Sequence, residues 1–342
     1  MVEEDGGVAA EGALRRRSWW VALLAGAKAE KSKLTLDRTW GQVGRPVLHG
    51  HKSPRNGCCS PFPVVCRGGC NGGVLTSNGY ALSPGRLGEL AEVPQCERGD
   101  REALHARLAR DGYLFLRGLL DPADVLGFRR YYFERTGVAD AHGVPREVDR
   151  GELRRVLFGE VVPGAQYGAF CAQPALRGWY EWFLGGETFL HRRKIIRHIA
   201  PGEAGIGTAT QAHYDLLYLR EGSDQVLSAW IPLGDCPVSL GGLTYLEGSH
   251  HRVLREEAAG TLKRPAASIT AALPGLAEEY DANWLVADYA AGDVVIHTAH
   301  TVHAALDNVS STMRLSTDIR YQLAATPIDP RWQSHWHDKD GL

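Results

Sequence analysis

The sequence predicts a mainly β protein with flanking helices, a β-barrel or jelly roll with the helices packed outside. Three observations lead there. Helical patterns come first, between residues 101 and 184. Short strand-like apolar runs follow, from 191 to 323. Gly, Pro, Asn and Asp separate those runs. No internal repeat is visible, which argues against a solenoid or propeller.

Residues 1–99 stand apart from this pattern. They hold few periodic apolar segments and many turn formers, as in Gly-Gly-Cys-Asn-Gly-Gly at 68–73. That composition reads as a disordered, solvated extension, with the folded domain at 100–342. Arg15-Arg16-Arg17 ahead of a short apolar stretch has a faint targeting look, but the stretch is short and internal. Cys58, Cys59, Cys66 and Cys70 crowd the same segment at irregular spacing, with only His49 and His51 nearby. They read as loose thiols and not as a zinc site.

From Asp100 the elements follow in order. Residues 101–110 suit a helix ending near Gly112, and 113–117 a strand. Asp121 is a good N-cap, with Pro122 at the first helical position and Gly137 as the stop. Residues 148–158 and 174–184 give two more helical patterns. The runs 191–200, 226–233, 243–246, 293–297 and 314–323 suit strands.

The formal net charge of −2 supplies no field that would draw the chain to nucleic acid or an anionic membrane. No apolar run is long enough to span a bilayer. Seven cysteines, four clustered and three scattered, do not form a secreted disulfide framework. Reduced thiols and a cytoplasmic location are the expectation.

Three pieces carry chemistry. His213-Tyr-Asp215, read as a strand, sends an imidazole and a carboxylate to one face, where they can grip one metal ion. His303, on a neighbouring strand, completes two His and one carboxylate. That set leaves metal positions open for a 2-oxo acid and dioxygen, as in non-haem Fe(II) oxygenases. Arg314 stands 11 residues beyond His303 (314 − 303). A guanidinium forks onto a carboxylate and stays charged when buried, as the far carboxylate of 2-oxoglutarate requires. Ser316, two residues on, shares its strand face and offers a hydroxyl.

The chain resembles the phytanoyl-CoA hydroxylase family of Fe(II)/2-oxoglutarate oxygenases from about residue 103 to 324. The resemblance rests on Asp-Gly-Tyr-Leu-Phe-Leu-Arg-Gly-Leu-Leu-Asp-Pro at 111–122, His-Tyr-Asp at 213–215 and Ser-Ala-Trp-Ile-Pro-Leu at 228–233. It continues in Gly-Gly-Leu-Thr-Tyr-Leu-Glu-Gly-Ser-His at 241–250, in Gly292-Asp293 and in Arg314. It implies a double-stranded β-helix, a cupin-like jelly roll, with Fe(II) on His213, Asp215 and His303. It also implies 2-oxoglutarate and dioxygen as co-substrates, Arg314 as the 2-oxoglutarate anchor and Trp230 lining the co-substrate pocket. His297 and His300 compete with His303, but only His303 has the family's asparagine five residues on, Asn308. Two positions depart from the pattern. Glu247 replaces a proline, and Ala305 replaces a small polar residue that would help hold 2-oxoglutarate.

The expected reaction is oxidative decarboxylation of 2-oxoglutarate to succinate and CO2, coupled to oxidation of a C–H bond. The expected partner is a small organic metabolite or acyl thioester. No Lys/Arg cluster in 100–342 marks a site for CoA phosphates. A cupin-like metalloenzyme without 2-oxoglutarate and a non-catalytic binding protein with a relic site are the other classes. Arg314 and the complete ligand set argue against both.

Overall fold

Asp100, Asp121 and Asp149 each open a helix by accepting a first-turn backbone N–H, which satisfies donors the helix cannot. The computed structural model describes residues 74–339 apart from 204, 220, 224, 264 and 266. The targeting-like segment, the cysteine cluster and the expected disorder of residues 1–73 lie outside the described residues.

In chain order the elements begin with β1 (Thr76–Ser77), β2 (Tyr80–Ala81) and β3 (Leu87–Glu89). Then come α1 (Arg101–Asp111), β4 (Tyr113–Leu116), α2 (Pro122–Thr136), α3 (Arg150–Val156), α4 (Ala165–Cys171) and α5 (Pro174–Leu184). The strand-rich half holds β5 (Thr188–Leu190), β6 (Ile195–Ile199), β7 (Leu227–Pro232) and β8 (Leu243–Leu246). Helices α6 (Ser249–Ala258) and α7 (Leu273–Tyr280) intervene before β9 (Trp284–Val286), β10 (Val294–Thr298), β11 (His303–Ala305) and β12 (Arg314–Leu323).

Two sheets result. One has six strands in the order β4-β10-β7-β12-β5, with β6 also pairing β12; the other has four, β11-β8-β9-β3. This is the double-stranded β-helix, mainly β with flanking helices. β12 organises it. Leu315, Thr317, Ile319 and Tyr321 are buried on its outer face. There the Tyr167 and Thr317 hydroxyls are hydrogen bonded at 2.6 Å, and Tyr180 stacks on Tyr321 at 4.4 Å, so α4 and α5 cover this face. Arg314, Ser316, Asp318 and Arg320 alternate with these residues and face inward.

Residues 74–99 differ from their expected place in the extension. Within the unit 74–342, Leu82, Leu90 and Val93 are buried, and β3 runs parallel to β9. The Asp307 carboxylate accepts the backbone N–H of Asn78 at 2.7 Å and of Gly79 at 2.9 Å, tying the β1–β2 turn to the barrel. The segment lacks periodicity because its strands are two or three residues long and gain their order from distant partners. Among the described residues, no helix is long and apolar enough to cross a membrane. Cys96, Cys171 and Cys236 are free thiols.

Candidate metal centre and active-site cavity

His213, Asp215 and His303 converge so that one ligand atom from each lies within 4.8 Å of the others. His213 is not in a continuous strand, as the alternation argument expected. It forms an isolated bridge with His303, and Asp215 opens a short 3-10 turn at Asp215–Leu217. The bridge does the strand's work. His213 N donates to His303 O at 3.0 Å, and His303 N donates to His213 O at 2.9 Å, so the two imidazoles sit 4.3 Å apart.

Backbone carbonyls fix how the rings point. Nδ1 of His213 lies 2.8 Å from Gln211 O, and Nδ1 of His303 lies 3.0 Å from Thr301 O. A carbonyl only accepts, so each Nδ1 carries the proton and each Nε2 presents a lone pair. Burial lowers the pKa of His213 and holds that of His303 well below its usual value, with His213 and His297 adding to the effect on His303. Neutral imidazoles are the form a metal needs. Nε2 of His303 is buried with no hydrogen-bond partner among the described residues, an orphan that a metal ion would satisfy.

Asp215 is fully buried. Burial pushes its carboxyl up, but the Arg320 guanidinium, His297 and His303 together outweigh this and hold it well below the usual carboxylate range. Arg320 forks onto it, Nη2 to Oδ1 at 2.9 Å and Nε to Oδ2 at 3.2 Å, and Ser228 Oγ donates to Oδ2. Nε2 of His297 lies 3.6 Å from the same Oδ2. Oδ1 lies 3.7 Å from His213 Nε2 and 4.0 Å from His303 Nε2. His297 therefore stands behind the carboxylate, on its far oxygen. His300 pairs with Glu257 at 2.9 Å and is not in the cluster.

A cavity of about 120 Å³ adjoins this cluster between the two sheets. Arg314, Ser316 and Trp230 all line it. Arg314 is buried, which pushes its pKa down to about 10 and leaves it a cation at neutral pH. Its Nη1 donates to Gly241 O, while its Nε has no partner among the described residues. Gly241 has φ +81, and an added Cβ would lie 2.6 Å from Leu306 O, so only glycine brings that carbonyl to the arginine without strain. Trp230 also packs edge-on against Tyr289 at 4.8 Å, so it serves core and cavity together. Gln211 turns its side chain to Ser268, and His250 Nε2 lies 3.1 Å from Ala109 O, both away from the cluster.

Sequence reasoning missed several lining residues. Asp318 and Arg320 follow Ser316 at the same two-residue step, so the alternation that found Ser316 would have found them. The basic run Arg192-Arg193-Lys194 with Arg197 was also visible, and Arg193 and Arg197 line the cavity. Trp332 and Trp336, near the C-terminal end of the described residues, line it as well.

Residues 108–316 match the model of the phytanoyl-CoA dioxygenase (PhyH) family. Over 241 residues the chain is 30% identical to a 1-deoxypentalenic acid 11-beta-hydroxylase of Streptomyces exfoliatus, covering 66% of this chain and 83% of that protein. A protein of the same name from Streptomyces arenae is 28% identical over 236 residues, again covering 66% and 83%. Among solved structures, the epimerase SnoN in complex with Fe3+, alpha ketoglutarate and nogalamycin RO is 24% identical, with a TM-score of 0.49. That match covers 68% of this chain and 87% of SnoN.

Proposed function

The chain belongs to the phytanoyl-CoA dioxygenase family of Fe(II)- and 2-oxoglutarate-dependent oxygenases, and we propose that it hydroxylates a small organic metabolite, with iron on His213, Asp215 and His303. The observation that carries the assignment is the convergence of three buried donors, two neutral imidazoles and one carboxylate, with His303 Nε2 left without a partner. When bound, Fe(II) with 2-oxoglutarate and dioxygen supplies the oxidising power, and succinate and CO2 are released.

The protein's part is placement. Gln211 O and Thr301 O hold the imidazole protons on Nδ1 and keep each Nε2 aimed at the metal position. Ser228 and Arg320 hold Asp215 as an anion. Arg314 receives the far carboxylate of 2-oxoglutarate through its unpartnered edge, and Ser316 Oγ donates beside it. Trp230 closes the apolar side of that pocket and excludes water.

Anaerobic Fe(II) titration together with succinate release tests the reading. His303→Ala should bind iron poorly and release no succinate, whereas His300→Ala should do both normally. Full activity in His303→Ala would remove the ligand assignment.

A further inference from the structure

The inward row of β12 has one member without a role in the oxygenase reading. Arg314 and Ser316 serve 2-oxoglutarate there, and Arg320 holds Asp215. Asp318 stands between them at the same two-residue step, on the same face. In the strand ladders it lies opposite Trp230 of β7 and Ile195 of β6. Opposed residues share a sheet face, and all three line the cavity together with His213 and His303. Asp318 is the one carboxylate among the described lining residues.

Two polar atoms are left unmet at this point. Oδ1 of Asp318 has no hydrogen-bond partner among the described residues, and neither has Nη1 of Arg320. The two lie 3.7 Å apart, near enough to attract as ions and too far to hydrogen bond. Arg320 spends its Nε and Nη2 on Asp215, so Nη1 is its remaining edge. Burial pushes the Asp318 carboxyl up, while Arg320 draws it down; a donor on Oδ1 would further favour the anion. A carboxylate oxygen shut away from water without a donor is costly, and native structures supply one. The Asp318 side chain keeps 19% exposure and lines the cavity, so a cavity ligand is placed to supply it.

We propose that the substrate carries a hydroxyl group, which donates to Asp318 Oδ1 and accepts from Arg320 Nη1. A gap of 3.7 Å lets one oxygen sit about 2.8 Å from both atoms. A hydroxyl is the simple group that donates and accepts at once. An ammonium has nothing to accept with and would face Arg320. A carboxylate has nothing to donate and would face Asp318. A ketone or an ether satisfies Arg320 alone. Asp318 is thus a specificity-determining residue, and the carbon skeleton beside the hydroxyl rests on Ile195 and Trp230. This proposal rests on the oxygenase reading above and names a group that the substrate must bear.

The test reads binding, not turnover. Protein loaded with Mn(II) and 2-oxoglutarate is titrated with matched sets of alcohol, methyl ether, ketone and primary amine. The skeletons are cyclohexane, indane and decalin. Binding is followed by the faster proton relaxation that nearby Mn(II) imposes on the probe, so a molecule held elsewhere on the surface is not counted. At least one alcohol should bind, with its ether and ketone about tenfold weaker or worse, as loss of a hydrogen bond to a charged group implies. Asp318→Asn keeps the shape and loses the charge, and should cut that preference to about threefold or less. Asp318→Leu should bring the alcohol to the level of the ether. The proposal is overturned if no alcohol binds, if alcohol and ether bind alike, as they would were a fixed water to fill the gap, or if the amine binds tighter than the alcohol. An undiminished preference in Asp318→Asn overturns it too. So does a loss of 2-oxoglutarate affinity in that variant as large as the loss for the alcohol, which would give Asp318 to the co-substrate. The initial 2-oxoglutarate titration reports on the oxygenase reading separately. Normal 2-oxoglutarate binding without a preference for the alcohol removes the hydroxyl proposal alone.

Discussion

Asp215 sits at zero exposure, and a buried anion persists only while its partners remain. Arg320 and Ser228 are those partners, so Arg320→Ala should lower Fe(II) affinity by about 10–100-fold without removing a ligand. Equilibrium Fe(II) titration reads this, and wild-type affinity in the variant would show that Arg320 does not position the carboxylate. Arg314→Ala should raise the KM for 2-oxoglutarate by the loss of roughly 2–5 kcal/mol, and Arg314→Lys should recover only part of it, since an ammonium cannot fork. An unchanged KM would sever the link between this residue and the co-substrate. His213, Asp215, His303 and Arg314 were legible because their types and spacing are chemically distinctive. Arg320 was less so, because its partner lies 105 residues away and nothing local marks the pair.

Helices announce themselves through their ends. Asp121, Pro122 and Gly137 bounded α2 from sequence alone, because caps are local chemistry. Gly112 ends α1 with φ +78, and a Cβ there would lie 2.6 Å from His250 Nδ1 and 2.7 Å from Thr301 Oγ1. Gly112→Ala should therefore cost about 1–3 kcal/mol of stability, read as a lower unfolding midpoint in denaturant. Strands β1 to β3 were illegible for the opposite reason, since their order comes from Asp307 and from β9. Deleting residues 1–95 strips Leu82, Leu90 and Val93 from the core, at about 1.5–3 kcal/mol each. The expected product is insoluble or sharply destabilised protein, whereas a cut after Gly73 spares these contacts. Equal stability of the two truncations would show that the segment contributes nothing.

Across the whole molecule, the candidate centre joins the two sheets. His303 lies on the four-stranded sheet, while Arg314 and Arg320 lie on the six-stranded one. Ligands held there stabilise the fold as a unit. Metal at 100 times its Kd should add about 2.7 kcal/mol to unfolding, and 2-oxoglutarate a further increment. Thermal melts with Mn(II), with and without 2-oxoglutarate, measure both, and Arg314→Ala should lose only the second increment. A melting temperature indifferent to both ligands would count against a site between the sheets. The jelly-roll class was legible from the order of helices and short strands, but the pairing of β12 with β5, β6 and β7 was not. Alternation shows which residues share a face and says nothing of which strand lies alongside.

The reciprocal hydrogen bonds between His213 and His303 bear on the thermodynamics of metal uptake. They hold the two imidazoles at their spacing through backbone alone, so no segment has to order when the ion arrives. Uptake should therefore bury little new apolar surface, and its enthalpy should stay nearly flat with temperature. A heat-capacity change near zero is the calorimetric mark of a site complete before its metal, whereas a loop that folded around the ion would give a clearly negative one.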